Sequence, residues 1–323
     1  MANDLLVKVW ERLDDKFRHK LARIIAFHHP EFDENRRTSF PELEPLLSLM
    51  EANRQLFGHT RAAYGKFSPA DMRKATEELL WHVAQWFDEI HKKVRIEAHP
   101  WLEQFCGAVR DDHSTILSFN WDLVLDELLL KKVGGGGAYG FEPSLEGPLL
   151  LKPHGSLNWF DGKEAENIKR FKTILLAKDE AHSTYAFTEF RAPKSKVGRK
   201  YIPLIIPPHY MKRFDRPGFR AIWRTCVSKL SSAREVVFLG YSLPPSDFHA
   251  RFMLRCAFHN QVEGSINDSK PRSPATGRAR VIVVNPDRVS AQRIENVTAP
   301  HVSFKWNPMT VKEWVEAQEW NRA

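Results

Sequence analysis

The sequence predicts an α/β protein: a parallel sheet with helices on both faces, preceded by a helical region. Three observations predict this. Residues 1–110 carry apolar side chains at helical spacing. From Ser114 onward, short β-branched or apolar runs alternate with helical patterns, as when helices cover a parallel sheet. Polar residues then recur just past several of the expected strands.

The first helices are read from their period. "NDLLVKVWERLDDKFRHKLARIIAF" places Leu5, Leu6, Val9, Leu13, Phe17, Leu21 and Ile24 along one stripe. "SFPELEPLLSLMEANRQLF" opens on a serine followed closely by proline, as helix starts do. "SPADMRKATEELLWHVAQWFDEIHKKV" opens the same way, with Ser68, Pro69 and the acid Asp71. "PWLEQFCGAVRDD" closes the helical region.

The strands expected next are "STILSF", "GPLLLK", "VVFLG" and "RVIVVN", with "FKTILLA" and "YIPLIIPP" less regular. Helices are expected at Trp121–Lys131, Arg220–Leu230, Ser246–His259 and Arg288–Val297, and a last one in "TVKEWVEAQEW". "EGSINDSKPRSPATG" reads as a polar loop. Gly135, Gly137 and Gly140 match the dinucleotide G-x-G-x-x-G pattern by letter. That fingerprint needs a strand before it and a helix after it. Here an expected helix precedes and a proline-containing segment follows, so the glycines read as a loop.

Composition narrows the class. At 323 residues and 42% hydrophobic, the chain can bury a sizeable core. The first residues are charged, unlike a secretory leader, and no apolar run is long enough to span a bilayer. Cys106, Cys226 and Cys256 are odd in number and widely separated, which suits a reducing cytoplasm; none forms a C-x-x-C pair, so no zinc module is expected. Net charge is +8, with pI near 9.3. The densest basic stretches, "KKVRIEAHP" and "PRSPATGRAR", lack interleaved aromatics, so a solvated basic surface is expected and a direct nucleic-acid ligand is not.

The candidate site comes from the strand ends. Asn120 and Asp122 follow "STILSF", and His154 follows "LLLKP". Gly240, Tyr241 and Ser242 follow "VVFL", and Asn285 and Asp287 follow "VIVV". Ligands of open α/β sheets bind in the crevice outside the carboxyl ends of the strands. Each residue also has a plainer reading: Asn120 as a turn, Asp122 as a helix cap, His154 as a structural histidine, Gly240 as a tight connection.

"SFNWDLVLDELL", "LLLKPHGSLNW", "FLGYSLPPSDFHARFMLRCAF" and "VIVVNPD" together resemble the ordered motifs of the sirtuin (SIR2) superfamily. The resemblance is greatest to bacterial SIR2-like domains of antiphage defence, covers residues 111–297, and would make residues 1–110 the helical insertion of a single domain. It implies a Rossmann-like sheet over residues 111–323 that takes NAD as its substrate. Asn120 and Asp122 match the Asn-x-Asp beside the nicotinamide ribose, and His154 matches the catalytic histidine. Gly240 and Ser242 match the Gly-x-Ser of the nucleotide cleft, and Asn285 the residue near the adenosine ribose.

The residue types suit that chemistry. Breaking the nicotinamide–ribose bond builds positive charge at the anomeric carbon. Histidine can take a proton at neutral pH, and an asparagine amide can orient water without adding charge. Asp122 either stabilises the cationic transition state or caps its helix. The resemblance therefore implies an NAD⁺ glycohydrolase acting as a defence effector. The alternatives are an NAD-dependent protein deacylase, which usually carries a zinc module built on C-x-x-C pairs, and a silent nucleotide-binding or scaffold subunit. A serine hydrolase using Ser242 would lack the second glycine of the G-x-S-x-G elbow. A homo-oligomer or a partner from a neighbouring defence gene also fits the resemblance, but no membrane partner does. Family members open with a strand and a glycine-rich phosphate loop that do not precede "MANDLLVKVWERL" here. The expectation is that the chain starts just past that loop and that its sheet lacks one central strand.

Overall fold

The computed structural model describes residues 5–57, 67–130, 136–142, 150–161, 173–180, 182–189, 203–206, 218–263, 279–300 and 302–318. Helices α1 (Leu5–Trp10), α2 (Asp15–His28), α3 (Leu43–Phe57), α4 (Pro69–Lys93) and α5 (Pro100–Asp111) come first. Strands β1 (Ile116–Leu117) and β2 (Leu150–Leu151) flank α6 (Val124–Leu130). Four strands follow: β3 (Gly155–Asp161), β4 (Thr173–Lys178), β5 (Ser183–Phe187) and β6 (Pro203–Ile205). Helices and strands then alternate: α7 (Phe219–Ser232), β7 (Glu235–Leu239), α8 (Phe248–Glu263), β8 (Ala279–Val284), α9 (Arg288–Thr298), β9 (Val302–Asn307) and α10 (Val311–Glu316). The polar loop expected after Glu263, Gly134 and Gly135 of the glycine run, and the segment 143–149 lie outside the described residues.

Contacts divide the chain into two units. The first comprises Met1–Val94, Asn120–Leu123 and His154–Arg216; the second comprises Arg95–Phe119, Val124–Pro153 and Pro217–Ala323. This division does not follow the simple order of helices first and sheet second.

In the first unit, helix starts are set by side-chain caps. Asp14 accepts the Phe17 N–H at 2.8 Å at the head of α2. Ser68 and Asp71 form a capping box ahead of α4, with Pro69 in its first turn. Leu21 and Ile24 of α2, Leu46 and Met50 of α3, and Leu79 and Val83 of α4 share one core with Leu157 of β3 and Ile205 of β6. Each such side chain contributes about 1.5–3 kcal/mol when fully buried. The strand order is β4-β5-β3-β6, and the pairings are antiparallel. An antiparallel sheet was not expected. Its hairpin is closed by Asp179, whose N–H donates to His182 O at 2.9 Å and whose carboxylate accepts the His182 N–H at 2.8 Å. So short a connection permits only antiparallel neighbours.

In the second unit the strands are parallel, as the alternation with helices predicts. β8 lies between β7 and β9, with Val281 opposite Val236 and Phe304. β1 and β2 form a separate parallel pair. Ile282 and Val284, on one face of β8, pack with Trp314 and Val315 of α10 and with the less buried Trp101 and Phe105 of α5. Val281 and Val283, on the other face, are equally inaccessible. The protein is thus mixed α/β, and among the described residues no helix is long and apolar enough to cross a membrane.

His82 of α4 is buried and stacks on Phe17 of α2, ring centroids 5.9 Å apart and planes 9° from parallel. Burial pushes its imidazole below the ordinary histidine value; Asp14 opposes the shift and Arg12 adds to it, while Glu78 lies 3.4 Å away. The unfolded chain therefore binds the proton more readily. The stabilisation is present above the unfolded value of about 6.5 and is lost as pH falls through the lowered folded value. Between about pH 7.5 and 5.5, the wild type should lose more thermal stability than His82→Phe, which keeps the ring stack but cannot ionise. Equal losses in parallel melts would show that His82 carries none of the acid sensitivity.

Candidate functional site

Two strand ends set where the first candidates fall. Ile116 lies opposite Leu150, and Leu117 opposite Leu151, in the β1–β2 pair. The Ser118 N–H extends the ladder by donating to Leu151 O at 2.9 Å. Asn120 lies three residues past the end of β1, and His154 three residues past the end of β2. Asn120, Asp122 and His154 all belong to the first unit. Asn120 is exposed, Asp122 half-buried, and His154 buried at 7% exposure.

The backbone around these residues is tightly specified. Gly155 has φ +83°, and a Cβ there would run into the carbonyl oxygen of Leu204. Only glycine takes that conformation without strain, which accounts for the His-Gly order. His154 O accepts the Ile206 N–H at 2.7 Å, and Gly155 pairs with Ile205. The Leu157 N–H donates to Trp121 O at 3.1 Å, tying the Asn120–Asp122 segment to the segment that follows His154. The Trp121 ring meets Phe87 edge-on at 6.2 Å. Helix α6 begins at Val124, so Asp122 stands one residue ahead of the capping position.

The sequence hides a second polar cluster. In the second unit, Lys152 Nζ lies 2.8 Å from Asp126 Oδ2, and Tyr139 donates its hydroxyl to Asp126 Oδ1 at 2.7 Å. Asp126 and Tyr139 have no exposed surface, and Lys152 is 1% exposed. Buried ion pairs of this kind are costly to break, because both charges are held away from water. The signal was a lysine inside "LLLKP" and an aspartate inside "LVLDELLL", each interrupting an apolar run. Beside the pair, the Trp223 indole N–H donates to Pro153 O at 2.9 Å, anchoring the residue before His154.

The remaining candidates sit in the second unit, at the carboxyl ends of β7 and β8. Gly240 has φ +63°, and its N–H donates to Val284 O at 3.0 Å. Gly240 and Ser242 are exposed. The Tyr241 ring stacks on Phe119 at 4.6 Å, and its hydroxyl donates to the buried Asp247 at 2.9 Å. Burial, with Asp247 beside it, pushes that hydroxyl well above the ordinary tyrosine value, so it stays protonated. Asn285 is buried; its amide donates to Tyr241 O at 3.3 Å and accepts the Asp287 N–H at 2.8 Å. Asp287 caps α9, and its hydrogen bonds from Ser290 lower its carboxyl.

Thiol chemistry finds no support here. Burial pushes the Cys106 thiol up to about 12 and raises Cys226 as well, so neither is a nucleophile at neutral pH. Among the described residues, no group of three or more His, Cys, Asp or Glu is placed to hold a metal ion. No protein-family model matches the chain, and no curated protein matches it.

Gly155→Ala should lower stability by about 1–3 kcal/mol or more, since it adds left-handed strain to a clash with Leu204. Urea unfolding measures the loss; an unchanged midpoint would show that the backbone beside His154 is freely adjustable.

Proposed function

We propose that this protein is an NAD⁺ glycohydrolase of the SIR2-like kind, with a Rossmann-like sheet, acting as an effector of antiphage defence in the cytoplasm. The observation that carries this reading is that β1 and β2 pair in parallel, with Asn120 and His154 each three residues past the carboxyl end of its strand. An exposed asparagine and a nearly dry histidine are residue types that suit attack by water on a glycosidic carbon.

In this mechanism the C–N bond between ribose and nicotinamide breaks, and its electron pair leaves with nicotinamide. The water oxygen bonds to the anomeric carbon while its proton passes to His154 and then to solvent. Asn120 orients the water, and the Asp122 carboxylate stabilises the positive charge developing on the ribose. The resemblance also implies that Gly240, Ser242 and Asn285 take part in nucleotide binding.

Incubating the purified chain with NAD⁺ and measuring nicotinamide release tests the reading. No release from the wild type would overturn it in favour of a silent scaffold, and release only with an acyl-lysine peptide would make the protein a deacylase. His154→Ala should reduce turnover by about 10²–10⁴-fold while leaving the fold intact. Wild-type turnover in that variant would remove His154 from the chemistry. Asn120→Asp places a second carboxylate two residues from Asp122 and should depress turnover with little change in melting temperature. A variant that instead unfolds would make Asn120 a structural residue.

A further inference from the structure

Leu243 stands in the left-handed region at φ +42°, and its side chain has no exposed surface. A residue other than glycine keeps that conformation only where its surroundings over-determine it. Gly240, at the other end of the same turn between β7 and α8, is left-handed as well, with φ +63°. Tyr241 ties this turn down through its ring, its hydroxyl and its carbonyl, and every partner lies within the second unit. The ring stacks on Phe119 at 4.6 Å, the hydroxyl donates to Asp247 Oδ2 at 2.9 Å, and the carbonyl accepts the Asn285 side-chain amide at 3.3 Å. Asn285 is itself fixed to the sheet. Its carbonyl accepts the Trp306 indole N–H at 2.8 Å, and its N–H donates to Asn307 O at 3.2 Å.

The residues on either side of Tyr241, Gly240 and Ser242, are exposed. A phenyl ring would fill the same space and stack on Phe119 as well. What the hydroxyl adds is a fixed point on Asp247, which also accepts the Ala250 N–H at 3.3 Å in the first turn of α8. The turn and the start of that helix are thereby joined. We propose that Tyr241 is a positioning residue that holds residues 240–243 in their left-handed turn and so presents Gly240 and Ser242 to the ADP portion of a dinucleotide. Tyr241 itself does not touch the ligand. The inference rests on the reading of Gly240 and Ser242 as nucleotide-binding residues.

ADP-ribose carries that portion without the bond to be cleaved, so it is the probe. Its Kd is measured by calorimetry for the wild type and Tyr241→Phe. The Ser242 amide signal is followed by NMR in ligand-free, serine-labelled protein, assigned by its loss in Ser242→Ala. Tyr241→Phe keeps the ring stack and loses the bond to Asp247. It should weaken ADP-ribose binding about tenfold and displace the Ser242 signal. KM for NAD⁺ should rise by a similar factor with kcat little changed. A merely structural role would lower the melting temperature and leave the Kd of the folded protein as it is. An unchanged Kd, or an unmoved Ser242 signal, would therefore overturn the inference, as would a wild type that does not bind ADP-ribose. If the wild type binds ADP-ribose but releases no nicotinamide from NAD⁺, the activity reading fails and the Kd comparison still judges Tyr241. Should Tyr241→Phe not fold, Phe119→Leu removes the stack, keeps the hydroxyl and carries the same two measurements, with the same weakening and displacement expected.

Discussion

The hydrogen-bonded register between β1 and β2 is the constraint that fixes where the two strands end, at Leu117 and Leu151, each three residues before a candidate residue. Side chains alternate along a strand, so which polar group leaves a strand end, and on which side, follows from pairing alone. Two pairs and the Ser118–Leu151 bond are little to hold such a choice. Within the second unit Trp223 holds the Pro153 carbonyl, and within the first Leu157 holds that of Trp121. Gly155 admits no side chain.

Much of the fold was legible, for local reasons. Helices α2 and α4 combine an apolar stripe with a side-chain cap, and these are signals a single segment carries by itself. Strands β7 and β8 are short and β-branched and sit between helical patterns. The antiparallel sheet was not legible to the same degree. β3 is buried at its first six residues and includes Gly155, Ser156 and Asn158, so no alternation marks it. β9 is different: Ser303 and Lys305 are exposed between the less exposed Val302, Phe304 and Trp306, a period of two that was there to be read.

The site divides in the same way. Asn120, His154 and Gly240 could be found because each stands where an apolar run stops. Lys152 and Asp126 also interrupt apolar runs, but their pairing was not legible, because a buried charge and a solvated one are the same letter until the partner is known. Asn285 was found by its position, but part of its work is internal, joining Tyr241 to the turn before α9.

Because the first unit is assembled from three separate stretches of chain, its helices must wait for their core. Leu157 and Ile205 pack against residues of α2, α3 and α4, yet they are synthesised long after them. At about 5–20 residues per second, the apolar faces of those helices emerge several seconds before the strands that cover them. The nascent chain therefore carries that part of its apolar surface uncovered during the interval. A ribosome pause between α4 and β6 would lengthen the exposure, whereas one after β6 would not.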